Sequence, residues 1–260
     1  MAQSPTVNVT FQTANKPTDI GEAIFGSSLL GPAGTELAAW CIQNNLPLSI
    51  GTGYQYQSKL YSSYEPGALS PLLSPAAAGN LHNINWLLNY YRSGGDPGLT
   101  ATHVQNSIWE VLGQLQTKSS LTRLALLNDG YVPDVGETLA VVLDPVRADG
   151  THDQTTIVET QAAKLGGHVW HDRDLDGIQD AGEEGIAGAA VQLVRDANGD
   201  GQITDNEILA RTTTDANGNY SFKGLTPGLD YQVLFVSPAG YDAASPRQSD
   251  GNGASGVNSD

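Results

Sequence analysis

Two stretches of closely spaced oxygen-bearing side chains carry the most explicit chemistry. Asp172-Arg173-Asp174-Leu175-Asp176-Gly177, with Asp180 and Glu183, puts acids at positions 1, 3, 5, 9 and 12 of a twelve-residue loop and glycine at position 6. A hard cation takes roughly six to eight oxygens at once, and only carboxylates and carbonyls on a sharply turning loop supply them so densely. Asp196, Asn198, Asp200, Gly201 and Glu207 meet the template again, with Thr204 at position 9, and Asp250, Asn258 and Asp260 offer further oxygens downstream. One such cluster reads equally well as a solvated turn; two full templates favour calcium. The flanks read as strands, so the expected role is structural, the ion turning carboxylate repulsion into a cross-link, rather than that of a helix-pair sensor.

The second candidate is a pair. Gln105 shares a helical face with Ile108, Trp109 and Leu112, where a primary amide is costly unless it is hydrogen-bonded or chemically used. Cys41, the one cysteine, sits in the apolar run Ala38-Ala39-Trp40-Cys41-Ile42. By themselves these residues also fit a boundary glutamine and a small buried hydrophobe. His82 and His103 read as surface histidines, since an offset of two from Gln105 points His103 to a different side of the helix.

The elements that must position these groups divide near Gln161 to Gly166, giving expected domains at 1–160 and 161–260. In the first, Leu81, Ile84, Leu87, Leu88 and Tyr91 follow a helical period after Asn80, a candidate N-cap, and Val104, Ile108, Val111, Leu112 and Leu115 follow another, started by Thr100 or Thr102. Val7 to Phe11, Ala38 to Ile42, Thr138 to Leu143 and Thr155 to Glu159 have strand character, so this domain is expected to be α+β. The second reads as short alternating strands at His168 to Trp170, Ala190 to Val194, Leu209 to Thr213, Tyr220 to Phe222 and Tyr231 to Val236, the pattern of an antiparallel sandwich. Asn217-Gly218 marks a hairpin turn in it. The chain is therefore expected to be mainly β with α.

With 260 residues, 12 Lys+Arg, 28 Asp+Glu and a net charge of −16, the chain is a poor partner for nucleic acid. No apolar run reaches the roughly 20 residues of a membrane helix, and a single cysteine excludes an internal disulfide.

Gly166-Gly167-His168-Val169-Trp170-His171-Asp172, Asp176 to Glu183, Gly185-Ile186-Ala187-Gly188, Thr214-Asp215 to Phe222 and Leu225-Thr226-Pro227-Gly228 resemble the B-type repeat domain of serine-aspartate-repeat surface proteins. The resemblance implies a calcium-rigidified, immunoglobulin-like or Cna-B-like stalk module of a bacterial surface adhesin. Such a module closes with a further strand, so domains beyond Asp260 are expected. No Lys-to-Asn isopeptide bond is expected, because His168 to His171, read as the first strand, holds no lysine.

Trp40-Cys41-Ile42-Gln43, the helix Leu81 to Tyr91, and Thr102-His103-Val104-Gln105-Asn106-Ser107-Ile108-Trp109 are similar to the thioester, or TQXA, domains of bacterial surface adhesins. The threonine and alanine that flank the glutamine in the name are Val104 and Ser107 here. The resemblance implies that Cys41 supplies a thiol and Gln105 the acyl group of an internal thioester, which acylates an amine on a target surface in a single turnover. The implied setting is extracellular, on a bacterial cell surface. The rival reading is a non-covalent structural or ligand-binding surface module with an inert Cys41; a cysteine hydrolase using His82, His103 or His152 as base has no supporting signature.

Overall fold

A computed structural model of the chain describes residues 6–13, 21–25, 30–51, 53–63, 69, 72–196, 200–236 and 238–241. These divide into two compact units: the described residues of Met1–Ala163 with Ala197–Asp200 and Lys223–Leu229, and those of Lys164–Asp196, Gly201–Phe222 and Asp230–Asp260.

The first unit is a closed antiparallel barrel of six strands, β1 (Thr6–Thr13), β2 (Gly21–Phe25), β3 (Glu36–Cys41), β4 (Tyr56–Ser62), β5 (Thr138–Val146) and β6 (Thr156–Gln161), in the order β1-β2-β3-β6-β5-β4. Four helices, α1 (Pro75–Gly79), α2 (Leu81–Arg92), α3 (Ala101–Val111) and α4 (Ser120–Leu126), fall between β4 and β5 in the chain. Alternation along the strands sorts their side chains into two cores. Val7, Val9, Phe11, Ala39, Leu139, Val141, Leu143 and Val158 fill the barrel. Trp40, Ala140, Val142 and Ile157 face the other way, onto Leu81, Ile84, Leu88, Val104 and Ile108 of the helices. Covering both faces of the wall is why β5 reads Leu-Ala-Val-Val-Leu without polar alternation.

Polar side chains tie helix to wall. Residues 138–140 of β5 lie outside its register with β4, and α2 partners their backbone there: Asn89 Oδ1 accepts from Thr138 N (2.8 Å) and Asn85 Oδ1 from Ala140 N (2.8 Å). Asn80 does not cap α2 with its side chain as expected; its Nδ2 donates to Val111 O (2.9 Å) at the end of α3. Thr100 starts α3 in a capping box with His103, and Ser119 caps α4.

Most residues of two small sheets fall in the second unit: β7 (Ala163–His168) with β10 (Asn219–Leu225), and β8 (Ala190–Val194) flanked by β9 (Ile208–Thr213) and β11 (Gln232–Val236). Its first strand thus runs earlier than His168 to Trp170 and carries Lys164, which is exposed. Gly166 and Gly167 obscure that strand in the sequence, yet they are needed in it: a Cβ at Gly166 would lie 2.6 Å from Tyr220 O, and one at Gly167 2.8 Å from the Tyr220 hydroxyl. The Asn217-Gly218 turn forms, with Gly218 at φ 87° and Asp215 Oδ1 accepting from Asn217 N and Asn219 N. Strands β2 and β4 and helices α1 and α4 escaped the sequence reading; β4 points Ser58 inward between Tyr56 and Leu60, which breaks the apolar pattern. Among the described residues no helix is long and apolar enough to cross a membrane.

Buried Glu110, near the end of α3, holds the next connection: its carboxylate accepts from Thr122 Oγ1 (2.5 Å), Ser119 N (2.7 Å) and Thr117 Oγ1 (3.3 Å). Burial alone would raise this carboxyl, but the hydrogen bonds from Thr122, Ser119 and Thr117 hold it below the ordinary 4.5. A depressed folded-state pKa contributes stability above the unfolded value and loses it as pH falls through the folded one. Glu110→Gln should therefore flatten the acid limb of the unfolding free energy below about pH 4.5, read by urea denaturation at stepped pH. An acid limb identical to wild type would mean that this carboxylate does not titrate with unfolding.

Candidate functional site

Cys41 ends β3 and Gln105 lies in the middle of α3, and the packing of α3 on the barrel wall brings them together across 64 residues of sequence. Cys41 N donates to Gln105 Oε1 (2.9 Å), and Gln105 Nε2 donates to Cys41 O (2.7 Å). The amide on the apolar face is thus satisfied reciprocally by one residue's backbone, and Gln105 is only 3% exposed. Burial pushes the half-buried Cys41 thiol up, so at neutral pH the sulfur carries its proton. The histidines weighed as bases are held by other partners: His82 by Asp129, His103 by Thr100, and His152 by Asp144. A thiol raised by burial runs opposite to the lowered thiol of a hydrolytic cysteine.

The residue before Cys41 is anchored more heavily than its neighbours. Trp40 is fully buried, and its Nε1 donates to Glu159 Oε1 (2.6 Å). Arg92, the last residue of α2, forks onto the same carboxylate through Nε (2.7 Å) and Nη2 (2.6 Å), with its guanidinium 5.9 Å from the Trp40 ring centre. Neither Glu159 nor Arg92 was singled out in the sequence; an acid on a strand and a base at a helix end carry no spacing signal that links them.

In the second unit, the first acidic loop is closed at its base by the Trp170–Gly185 bridge and by His171 N donating to Glu184 O (3.0 Å). Inside it, Asp172 accepts from Leu175 N (2.7 Å) and Gly177 N (2.9 Å), Asp174 from Asp176 N (3.3 Å), and Asp176 from Ile178 N (2.7 Å). These turns force Leu175 to φ 63°, a left-handed conformation that costs about 1 kcal/mol for a residue with a side chain. Carboxylate oxygens of Asp172, Asp174 and Asp176 consequently lie within 4.8 Å of one another. Burial, then the charges of Asp176, Asp180 and Glu183, raise the Asp174 carboxyl. Glu183 is engaged locally, accepting from Arg173 N (2.7 Å) and Asp180 N (3.0 Å). Converging carboxylate oxygens fit a hard divalent cation by donor type and spacing. Outside the cluster, the Arg173 guanidinium holds the Glu184 carboxyl down at about 2.

Of the second loop, residues 196 and 200–207 are described. Asp196 accepts from Gly201 N (2.9 Å), Asp200 is exposed, and buried Glu207 accepts through Oε2 from Thr204 N and Thr204 Oγ1, both 2.9 Å, closing a 3₁₀ turn over Asp205–Glu207. Asn198, Asp250, Asn258 and Asp260 lie outside the described residues. Among the described residues, the Asp172, Asp174 and Asp176 group is the one cluster of three such ligands.

Residues 163–260 match the sequence family of the SdrD B-like domain. Serine-aspartate repeat-containing protein C from Staphylococcus aureus strains Newman, USA300 and COL is 49% identical to this chain over 77 residues, 30% of the chain. The chain spans about 7% of the length of these curated relatives. The family match takes in both acidic loops and leaves Cys41 and Gln105 outside it, so it identifies the second part of the molecule as similar to an SdrD B-like domain.

Proposed function

We propose that this chain is part of a bacterial cell-surface adhesin in which Cys41 and Gln105 form an internal thioester that captures an amine on a target surface. The observation that carries the reading is the reciprocal hydrogen-bonded pair between the Cys41 backbone and the Gln105 amide. The Cys41 thiol loses its proton and attacks Gln105 Cδ; the C–N bond breaks, the nitrogen takes up the proton, and ammonia departs. Cys41 N–H is aimed at the oxygen on which negative charge develops, as an oxyanion donor must be. An incoming amine, such as a lysine side chain, then attacks the same carbon and forms a γ-glutamyl amide, and the sulfur leaves as the Cys41 thiol. The same N–H serves both steps. Burial of Gln105 limits attack by water before a partner docks. The protein is consumed once, so this is covalent binding rather than enzymatic turnover.

The second unit, in this reading, is a calcium-stiffened stalk. Asp172, Asp174 and Asp176 would hold one ion with Asp180 and Glu183, and Asp196, Asn198, Asp200 and Glu207 another. The ion supplies charge neutralisation and cross-linking when bound. The similarity of residues 163–260 to the SdrD B-like domain and the gathered first loop support this, as they support an extracellular site of action.

Intact-mass measurement of fresh protein should show the loss of one ammonia and no free thiol, and methylamine should add to Gln105 and release Cys41. Cys41→Ala should take up no amine; a wild-type protein of full sequence mass with a free thiol would leave an inert cysteine in a non-covalent surface module. In a Cys41→Ala background, Gln105→Ala should cost about 1–3 kcal/mol in unfolding free energy, because it orphans the N–H and C=O of residue 41. Calcium at tenfold excess over its dissociation constant should stabilise the second unit by about 1.4 kcal/mol per site, with affinities expected near 10⁻⁴ to 10⁻³ M. Calorimetric unfolding that is the same in calcium and in chelator would reduce the acidic loops to solvated turns.

A further inference from the structure

The carbon under attack and the N–H that polarises it sit on different elements, so their alignment depends on what fixes the end of β3. Beside the backbone pairing of β3 with β6 and the Ile42 N to Thr155 O bond, Trp40 fixes that end through its side chain. Its ring is fully buried in the core between barrel wall and helices, and its single polar atom reaches Glu159 Oε1 at 2.6 Å. Glu159 lies on β6, whose register with β3 pairs Trp40 with Ile157 and Cys41 with Thr156; the hydrogen bond therefore runs diagonally, from Trp40 to the position two residues beyond its partner. The Glu159 side chain is 10% exposed, and Arg92 compensates its charge with two hydrogen bonds. A cation at the last residue of α2 is also favoured by the helix dipole. Three elements, β3, β6 and α2, thus converge on the side chain adjacent to Cys41, while α3 meets Cys41 itself through Gln105.

We infer that Trp40, Glu159 and Arg92 act as positioning residues for the thioester chemistry, holding the Cys41 backbone in line with the Gln105 carbonyl. The inference rests on the thioester reading above. The indole N–H matters here beyond the bulk of the ring. Packing alone would be met by any large apolar side chain, but only a donor can couple the β3 end to a carboxylate that a second element holds in place. Misplacement of reacting groups by about 1 Å is enough to slow such a step without unfolding the protein.

Trp40→Phe keeps an aromatic ring, though a smaller one, and removes the donor; Glu159→Gln keeps an acceptor and the full side-chain volume and removes the ion pair with Arg92. Each should slow the release of the Cys41 thiol by methylamine by about 10-fold or more, among molecules that melt cooperatively. Both should also speed hydrogen exchange at the Cys41 amide, which reports its bond to Gln105 directly. Arg92→Lys, which retains the charge, should recover part of the rate lost in Arg92→Ala. A reactive wild type whose Trp40→Phe and Glu159→Gln variants react and exchange at wild-type rates would overturn the positioning role alone. A wild type that takes up no methylamine would overturn the thioester reading and this role with it.

Discussion

The barrel wall formed by β3, β5 and β6 has to be buried on both faces, and most of the first unit follows from that requirement. Its inner face is satisfied by closure of the six strands; its outer face, carrying Trp40, Ala140, Val142 and Ile157, is apolar and must be covered. The segment between β4 and β5 supplies the cover as four helices, the longest two presenting Leu81, Ile84, Leu88, Val104 and Ile108 to the wall. Each buried aliphatic side chain contributes roughly 1.5–3 kcal/mol, so the helices have a strong reason to lie there. Gln105 is carried to Cys41 as a consequence of that packing. The contact between the two is polar, but the force that assembles it is hydrophobic.

A contrasting constraint governs the first acidic loop. There the problem is crowding of like charge: oxygens of three carboxylates lie within 4.8 Å of one another, and burial, then the charges of Asp176, Asp180 and Glu183, raise the Asp174 carboxyl. Backbone amides of Leu175, Asp176, Gly177 and Ile178 turned toward those oxygens offset part of it. A divalent cation would offset far more, and would add to the stability of the folded unit alone. The base of the loop is already clamped by Trp170 against Gly185 and by Arg173 against Glu184, so an ion here would stiffen a closed turn rather than recruit a distant segment.

The two proposed chemistries place opposite demands on their surroundings. A stored acyl group needs a dry, fixed environment; Gln105 is buried, and its amide is held by the backbone of half-buried Cys41. A calcium loop of an extracellular module needs an exposed, anionic one, which Asp174 and its neighbours supply. The net charge of −16 serves the second demand and is irrelevant to the first, whose groups are uncharged.

Much of this could be read directly from the chain because it depends on local spacing. Acids at alternate positions followed by Gly177 describe a loop whatever surrounds it, since adjacent residues on a tight turn are neighbours by covalent geometry; the Asp215 to Asn219 hairpin and the two long helices are legible for the same reason. The amphipathic pattern also exposed Gln105 as misplaced on its face. What local pattern could not reveal was why it is there. The bond from Gln105 to the Cys41 backbone joins residues 64 apart, and those from Trp40 to Glu159 and from Arg92 to Glu159 join residues 119 and 67 apart. Strands such as β4 and β7 were hidden for a related reason: an inward serine and a pair of glycines look like breaks in the sequence, and for the glycines the neighbouring strand shows why nothing larger fits. Side-chain identity and spacing therefore determined which groups were available. Burial of a two-sided barrel wall, a property of the closed fold and of no single segment, decided which of them meet.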